Sequence, residues 1–202
     1  MKIYRLATNP DKYSSNAYLL LGEWNKLTDI NTIIDTGADG FIIDHIEKIN
    51  KGVGKKSIDK IIITHNHFDH NGGLAELKKK YDPKIYAFIP GPFVDELLKD
   101  NQNILIGDQY FQVLHTPGHS FDSVSLYCKA LGLLFSGDLN IRVAQRDFTY
   151  TIEYIESIRK LASMKINTVY PGHGAPITDN PESILKTTFL NINSTGMQEV
   201  RL

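Results

Sequence analysis

Four short apolar runs, each followed at once by a Gly- or Pro-punctuated segment carrying histidine or aspartate, constrain this chain more than any other feature. Ile61-Ile62-Ile63 leads into Thr64-His65-Asn66-His67-Phe68-Asp69-His70, and Tyr110-Phe111-Gln112-Val113-Leu114 into Thr116-Pro117-Gly118-His119. Leu133-Leu134-Phe135 leads into Ser136-Gly137-Asp138, and Thr168-Val169-Tyr170 into Pro171-Gly172-His173-Gly174. β-Branched and aromatic runs of this length read as buried strands, and the glycines and prolines behind them let the backbone turn sharply. The chain is therefore expected to end several strands in loops that carry metal-ligand side chains. Rigid strands delivering ligands from distant positions are a way to preorganise such a site.

The first segment is the most specific. Successive side chains of an extended stretch point to opposite faces, so His65 and His67 share a face and can clamp one cation. Asp69 and His70 lie past the bend and can turn toward a second. A lone histidine at a strand end is ordinarily a hydrogen-bonded polar residue, but four ligand-type side chains between positions 65 and 70 are not explained that way. His119, Asp138 and His173 would each pass for an ordinary turn residue. Their joint occurrence in this order points to a two-metal site, and so to metal-assisted hydrolysis or a close oxygen-dependent relative.

This set resembles the metallo-β-lactamase-fold hydrolases, whose pattern is His-x-His-x-Asp-His, then a lone His, a bridging Asp and a final His. The resemblance covers nearly the whole chain. It implies that His65, His67 and His119 hold a first metal, that Asp69, His70 and His173 hold a second, and that Asp138 bridges both. A hydroxide shared by the metals would then be the nucleophile, with Asp69 and Asp138 as the catalytic carboxylates. Thr-Pro-Gly-His119-Ser, Phe-Ser-Gly-Asp138 and Tyr-Pro-Gly-His173-Gly are similar to the glyoxalase II-type hydrolases. Ile33-Ile34-Asp35-Thr36-Gly37 also matches a turn common in the family. The expected substrate is accordingly a small thioester or ester. Zinc is the first choice of metal, and iron or manganese suits the same donors.

Departures from the pattern narrow the field. Class B1 β-lactamases carry cysteine where Asp138 stands, and the single cysteine here is Cys128. Flavodiiron proteins have glutamate at the position of His67, and β-CASP nucleases need a large insertion. Glyoxalase II has a C-terminal helical region that binds glutathione, whereas only about thirty residues follow His173, the length of a single helix. Glutathione-independent recognition is thus expected. A lactonase, a mononuclear iron persulfide dioxygenase, an endoribonuclease and a non-catalytic metal-binding or regulatory protein remain alternatives.

Composition fits one globular hydrolase domain over residues 1–202 with ordinary apolar and charged content. A formal net charge of −1 argues against a dedicated nucleic-acid surface. The basic run Lys78-Lys79-Lys80 reads as the C-terminal turn of a helix, where cations suit the helix dipole. One cysteine excludes an intrachain disulfide, and Met1-Lys2-Ile3-Tyr4-Arg5 reads as a first strand, so neither a leader nor a membrane span is expected. A cytoplasmic protein with a small-molecule substrate is expected, with homodimerisation left open.

Strands are expected near 3–7, 17–21, 32–34, 60–63, 84–88, 110–114, 123–127, 132–135 and 168–170. Helical spacing appears at Ile42, Ile46 and Ile49 and again at Ile152, Ile155, Ile158 and Leu161. Phe93, Val94, Leu97 and Leu98 predict a further helix from Pro92, and residues 181–190 a last one. This order suits an α/β fold with two mixed sheets packed between helices, the αββα sandwich. Arg142, Arg146 and Tyr150 follow the bridging aspartate and are candidate substrate contacts. Asp35 and Ser120 are candidates for orienting ligand imidazoles. His45 and His115 read as non-ligands.

Overall fold

The computed structural model describes residues 1–144 and 149–193. A six-stranded sheet runs β1 (Lys2–Leu6), β2 (Ala17–Leu21), β3 (Thr32–Ile34), β4 (Lys60–Ile62), β5 (Lys84–Ala87) and β6 (Glu96–Leu97) in spatial order. The first two pairings are antiparallel and the remaining three parallel. A five-stranded sheet is ordered β11 (Thr168–Pro171), β10 (Leu133–Gly137), β9 (Val124–Cys128), β8 (Gln109–His115) and β7 (Asn103–Ile106). Only the β10–β11 pair is parallel. Two antiparallel steps restore direction, so β8, β10 and β11 all run the same way and end on one edge of the sheet.

The period-two burial of the strands creates the layers. Along β2, Ala17, Leu19 and Leu21 face outward against α1 (Ile42–Lys48) and α3 (Leu74–Tyr81), joining Ile42, Ile46, Leu74 and Leu77. Tyr18 and Leu20 face the second sheet and meet Phe111, Val113, Leu126 and Phe135. The far side of that sheet, with Leu114, Tyr127, Leu134 and Val169, is covered by α4 (Ile152–Ala162) and α5 (Pro181–Asn193) through Ile158, Leu161, Leu185 and Ile192. The expected αββα layering is therefore the one observed. Each fully buried Leu or Ile in these layers is worth about 1.5–3 kcal/mol over an exposed one. The rigidity matters because each candidate ligand loop leaves the end of a strand pinned on both faces.

Two local expectations are corrected and one strand is added. Residues 93–98 form no helix: Phe93 takes a left-handed conformation (φ 66°), and Glu96–Leu97 pair with β5 as an edge strand. Cross-strand bonds outweigh helical spacing there, since Asp95 Oδ2 accepts the Ile85 N–H at 2.8 Å and Leu98 drops into the core between the sheets. Asn103–Ile106, not anticipated, pairs with β8 as β7. The segment after His67 is not all loop, because Phe68–Asn71 closes a short helix, α2.

Candidate metal centre

The elements converge as the strand ends dictate. His65 and His67 leave β4, Asp69 and His70 sit in α2, His119 follows β8, and Asp138 and His173 follow β10 and β11. Extended backbone at His67 (ψ 148°) aims its ring back beside His65, and the helical turn behind it redirects Asp69 and His70. His65 Nε2 and His119 Nε2 each lie 3.0 Å from His67 Nδ1. In a second group, His173 Nε2 is 3.1 Å from Asp69 Oδ2, and His70 Nε2 is 3.2 Å from Asp138 Oδ1. Asp138 stands between the groups, its Oδ2 being 3.6 Å from His119 Nε2 and 3.4 Å from His173 Nε2.

This donor set fits metal ions. Within each group the ligand atoms lie within 4.8 Å of one another, and the observed spacings bracket the roughly 3.3 Å edge of a tetrahedron drawn around a cation at zinc–nitrogen distances. Asp69 Oδ2, His70 Nε2 and Asp138 Oδ1 are buried without a hydrogen-bond partner among the described residues. They crowd together at 3.2 to 3.7 Å around His70 Nε2, an arrangement that is costly unless something else occupies their lone pairs. Space is reserved as well: a Cβ on Gly172 would fall 2.1 Å from Asp138 Oδ1 and 2.8 Å from His70 Cε1.

Electrostatics divide the two groups. Burial lowers His65 to about 4 and also depresses His119, so both imidazoles stay neutral with a lone pair free. Burial pushes His70 down too, but Asp35 and Asp138 outweigh it and raise the group to about 10. Burial of Asp138 is likewise overcome by His173 and His70, which hold its carboxyl well below the usual carboxylate range. His173 is raised, chiefly by its hydrogen bond with Asp138. Protons thus bind this second group together where cations would replace them.

The surrounding shell is built from several elements. Asp35, left-handed at φ 55° and 2% exposed, places Oδ2 2.8 Å from His70 Nδ1 and accepts the Thr64 N–H and hydroxyl at 2.8 Å each. Ser120 does not orient an imidazole. Its hydroxyl donates to Asp122 Oδ1 at 2.7 Å, and Asp122 Oδ2 accepts the N–H of Asn66 between His65 and His67 at 2.9 Å. Asn16 was not anticipated from sequence. Its amide donates to the carbonyls of Pro171 (2.9 Å) and Gly174 (2.8 Å), on either side of His173. Nothing local marks Asn16, whereas Asp122 could have been noticed from its place beside His119.

Of the candidate substrate contacts, Arg142 is exposed and lines a cavity of about 780 Å³ together with Asp138, His173, Asn140, Ile177 and Ile184. Tyr150 lines a smaller cleft of about 220 Å³ with His119 and Asp138. Arg146 lies outside the described residues. His115 points away from the centre, stacked on Phe88 at 4.3 Å with Nε2 2.7 Å from the Phe121 carbonyl. His45 Nδ1 accepts the Ala7 N–H at 2.8 Å, on the far side of the first sheet.

A sequence model of the Metallo-beta-lactamase superfamily matches residues 10–173. The chain belongs to that superfamily. Hydroxyacylglutathione hydrolase from Chromohalobacter salexigens is 32% identical over 152 residues, covering 72% of this chain and 58% of that protein. Atrochrysone carboxyl ACP thioesterase from Aspergillus fumigatus is 27% identical over 185 residues, covering 85% of this chain and 44% of that protein. The chain thus spans about half the length of these superfamily relatives. The BLEG-1 B3 metallo-beta-lactamase superposes with a TM-score of 0.68 at 23% identity, over 96% of this chain and 100% of that one, a likeness of fold. Among the described residues, no helix is long and apolar enough to cross a membrane.

Proposed function

We propose that this superfamily member is a binuclear metal-dependent hydrolase of small thioesters or esters. The observation that carries the reading is the pair of donor groups, His65/His67/His119 and Asp69/His70/Asp138/His173, joined by a carboxylate that approaches both. Two divalent cations bound there, zinc first, would supply a water-derived nucleophile at neutral pH and stabilise charge on a carbonyl oxygen. Asp138 neutralises both positions. Asp69, 5% exposed and with Oδ2 free of any hydrogen bond, is poised to accept one from the attacking water and orient it.

The adjoining cavity receives the rest of the substrate. Ile177 and Ile184 offer an apolar wall, and the Arg142 guanidinium a site for an anionic or carbonyl group. The likeness to a hydroxyacylglutathione hydrolase and an ACP thioesterase supports a thioester as first choice. The test is elemental analysis of the metal-saturated protein, followed by a panel of S-lactoylglutathione, simple acyl thioesters, a lactone, glutathione persulfide and RNA. Two metals per chain with saturable thioester or ester turnover is the expected result. One iron per chain with oxygen uptake on persulfide would replace this reading with a dioxygenase.

A further inference from the structure

Residues 7–16, between β1 and β2, cross the mouth of the metal centre and are fastened on both sides of Tyr13. Lys12 Nζ pairs with Asp39 Oδ2 at 2.8 Å, and Ser14 Oγ accepts the Ala38 N–H at 3.0 Å. The Ser15 N–H donates to the Asp69 carbonyl at 3.1 Å, and the Asn16 N–H to the Gly172 carbonyl at 2.6 Å. The loop is therefore tied to the two segments that carry Asp69 and His173. Tyr13 is nevertheless 70% exposed, so core packing does not account for its ring. That ring stacks on His173 with centroids 5.0 Å apart and planes inclined by 23°. Its hydroxyl lies 3.4 Å from His173 Nε2, the atom that faces Asp69 and Asp138.

We propose that Tyr13 is a substrate-contacting hydrogen-bond donor. Once His173 Nε2 is engaged by a cation, the phenol loses that neighbour and is left at the mouth with its O–H free. It then donates to the substrate's carbonyl oxygen, which gains negative charge as the carbonyl carbon becomes tetrahedral. The phenol keeps its proton throughout; the gain is a hydrogen bond that strengthens as charge develops. The stack on His173 fixes the ring, so little side-chain freedom is lost when substrate binds. This role rests on the hydrolase reading above.

Tyr13→Phe keeps the stack and removes only the hydroxyl. Metal content, steady-state kinetics on an acyl thioester and calorimetric binding of phenylphosphonate, a tetrahedral anion that needs no turnover, are compared with the parent protein. The expected result is unchanged metal content, kcat lower by about 100-fold with KM little altered, and phosphonate binding weaker by about tenfold. Parent-like kcat and phosphonate affinity in Tyr13→Phe would overturn the proposal. Loss of a metal ion would overturn it too, because the tyrosine would then build the metal site and not touch substrate. If the parent protein turns over no ester or thioester, the hydrolase reading fails on its own, and the phosphonate comparison still decides whether the hydroxyl contacts a bound oxyanion.

Discussion

Removing the Asp35 carboxylate probes the site where local strain, burial and ligand orientation meet. In Asp35→Ala, the Thr64 N–H, the Thr64 hydroxyl and His70 Nδ1 all lose an acceptor at 2.8 Å. Each buried donor left unpaired costs about 1–3 kcal/mol, and stripping one partner from a buried ion pair costs about 3–5 kcal/mol. Taking the latter as the net loss, a chain of this size should unfold roughly 6–20 °C lower, at about 2–4 °C per kcal/mol. Asp35→Asn separates stability from ligand orientation. Its amide oxygen can still accept the Thr64 N–H, and asparagine tolerates the left-handed backbone. Its NH2, however, would donate toward His70 Nδ1 and drive the ring into the tautomer whose Nε2 carries the proton, with no lone pair facing the centre. Scanning calorimetry of the metal-free variants and competition titration with zinc measure the two effects. Asp35→Asn should melt above Asp35→Ala, because the Thr64 N–H keeps its acceptor, but below the parent, because His70 loses its carboxylate, and it should bind zinc about 10- to 100-fold more weakly, the usual loss when the partner of a ligating histidine is removed. An Asp35→Ala protein melting within about 2 °C of the parent, or an Asp35→Asn protein with parent-like zinc affinity, would refute the reasoning.

Asp138→Ala should lose about a hundred- to ten-thousandfold in turnover while remaining folded by circular dichroism, whereas His115→Ala and His45→Ala stay near the parent; parent-like turnover and metal content in Asp138→Ala would show that the bridge is misassigned. Asn16→Ala frees the Pro171 and Gly174 carbonyls beside His173, so zinc stoichiometry under limiting metal should fall from two toward one, with the His65/His67/His119 group retained. Zinc affinity should rise with pH and binding should release protons, because His70 is raised to about 10 and must give up its proton to coordinate. The same shift makes the metal-free protein's contribution from His70 full below the ordinary histidine value near 6.5 and lost as pH climbs toward 10. Calorimetry in buffers of different ionisation heat checks the proton count, and melting curves across that range check the stability.

Much of this was legible in the residues themselves, because it depends on local periodicity and on ligand chemistry. Alternation along Ile61, Ile62 and Ile63 assigns a strand buried on both faces, and the period of Ile155, Ile158 and Leu161 assigns a helix lying on a sheet, although Ile152, at the start of the same period, is exposed. The histidines and aspartates announce themselves because few structural needs place so many ligand types at the ends of successive strands. Other features depend on contacts between residues far apart in the chain. The helix expected at 93–98 yields to edge pairing because Asp95 reaches Ile85. Ser120 belongs to Asp122, and so does the backbone between His65 and His67, because two loops meet there. Sequence places His67 beside His65, but only the turn into α2 makes Nδ1 the nitrogen that faces its neighbours. Tyr13 and Asn16 carry no motif at all. Their significance arises when the first sheet packs on the second and brings the β1–β2 connection over His173, a long-range closure that no local pattern encodes.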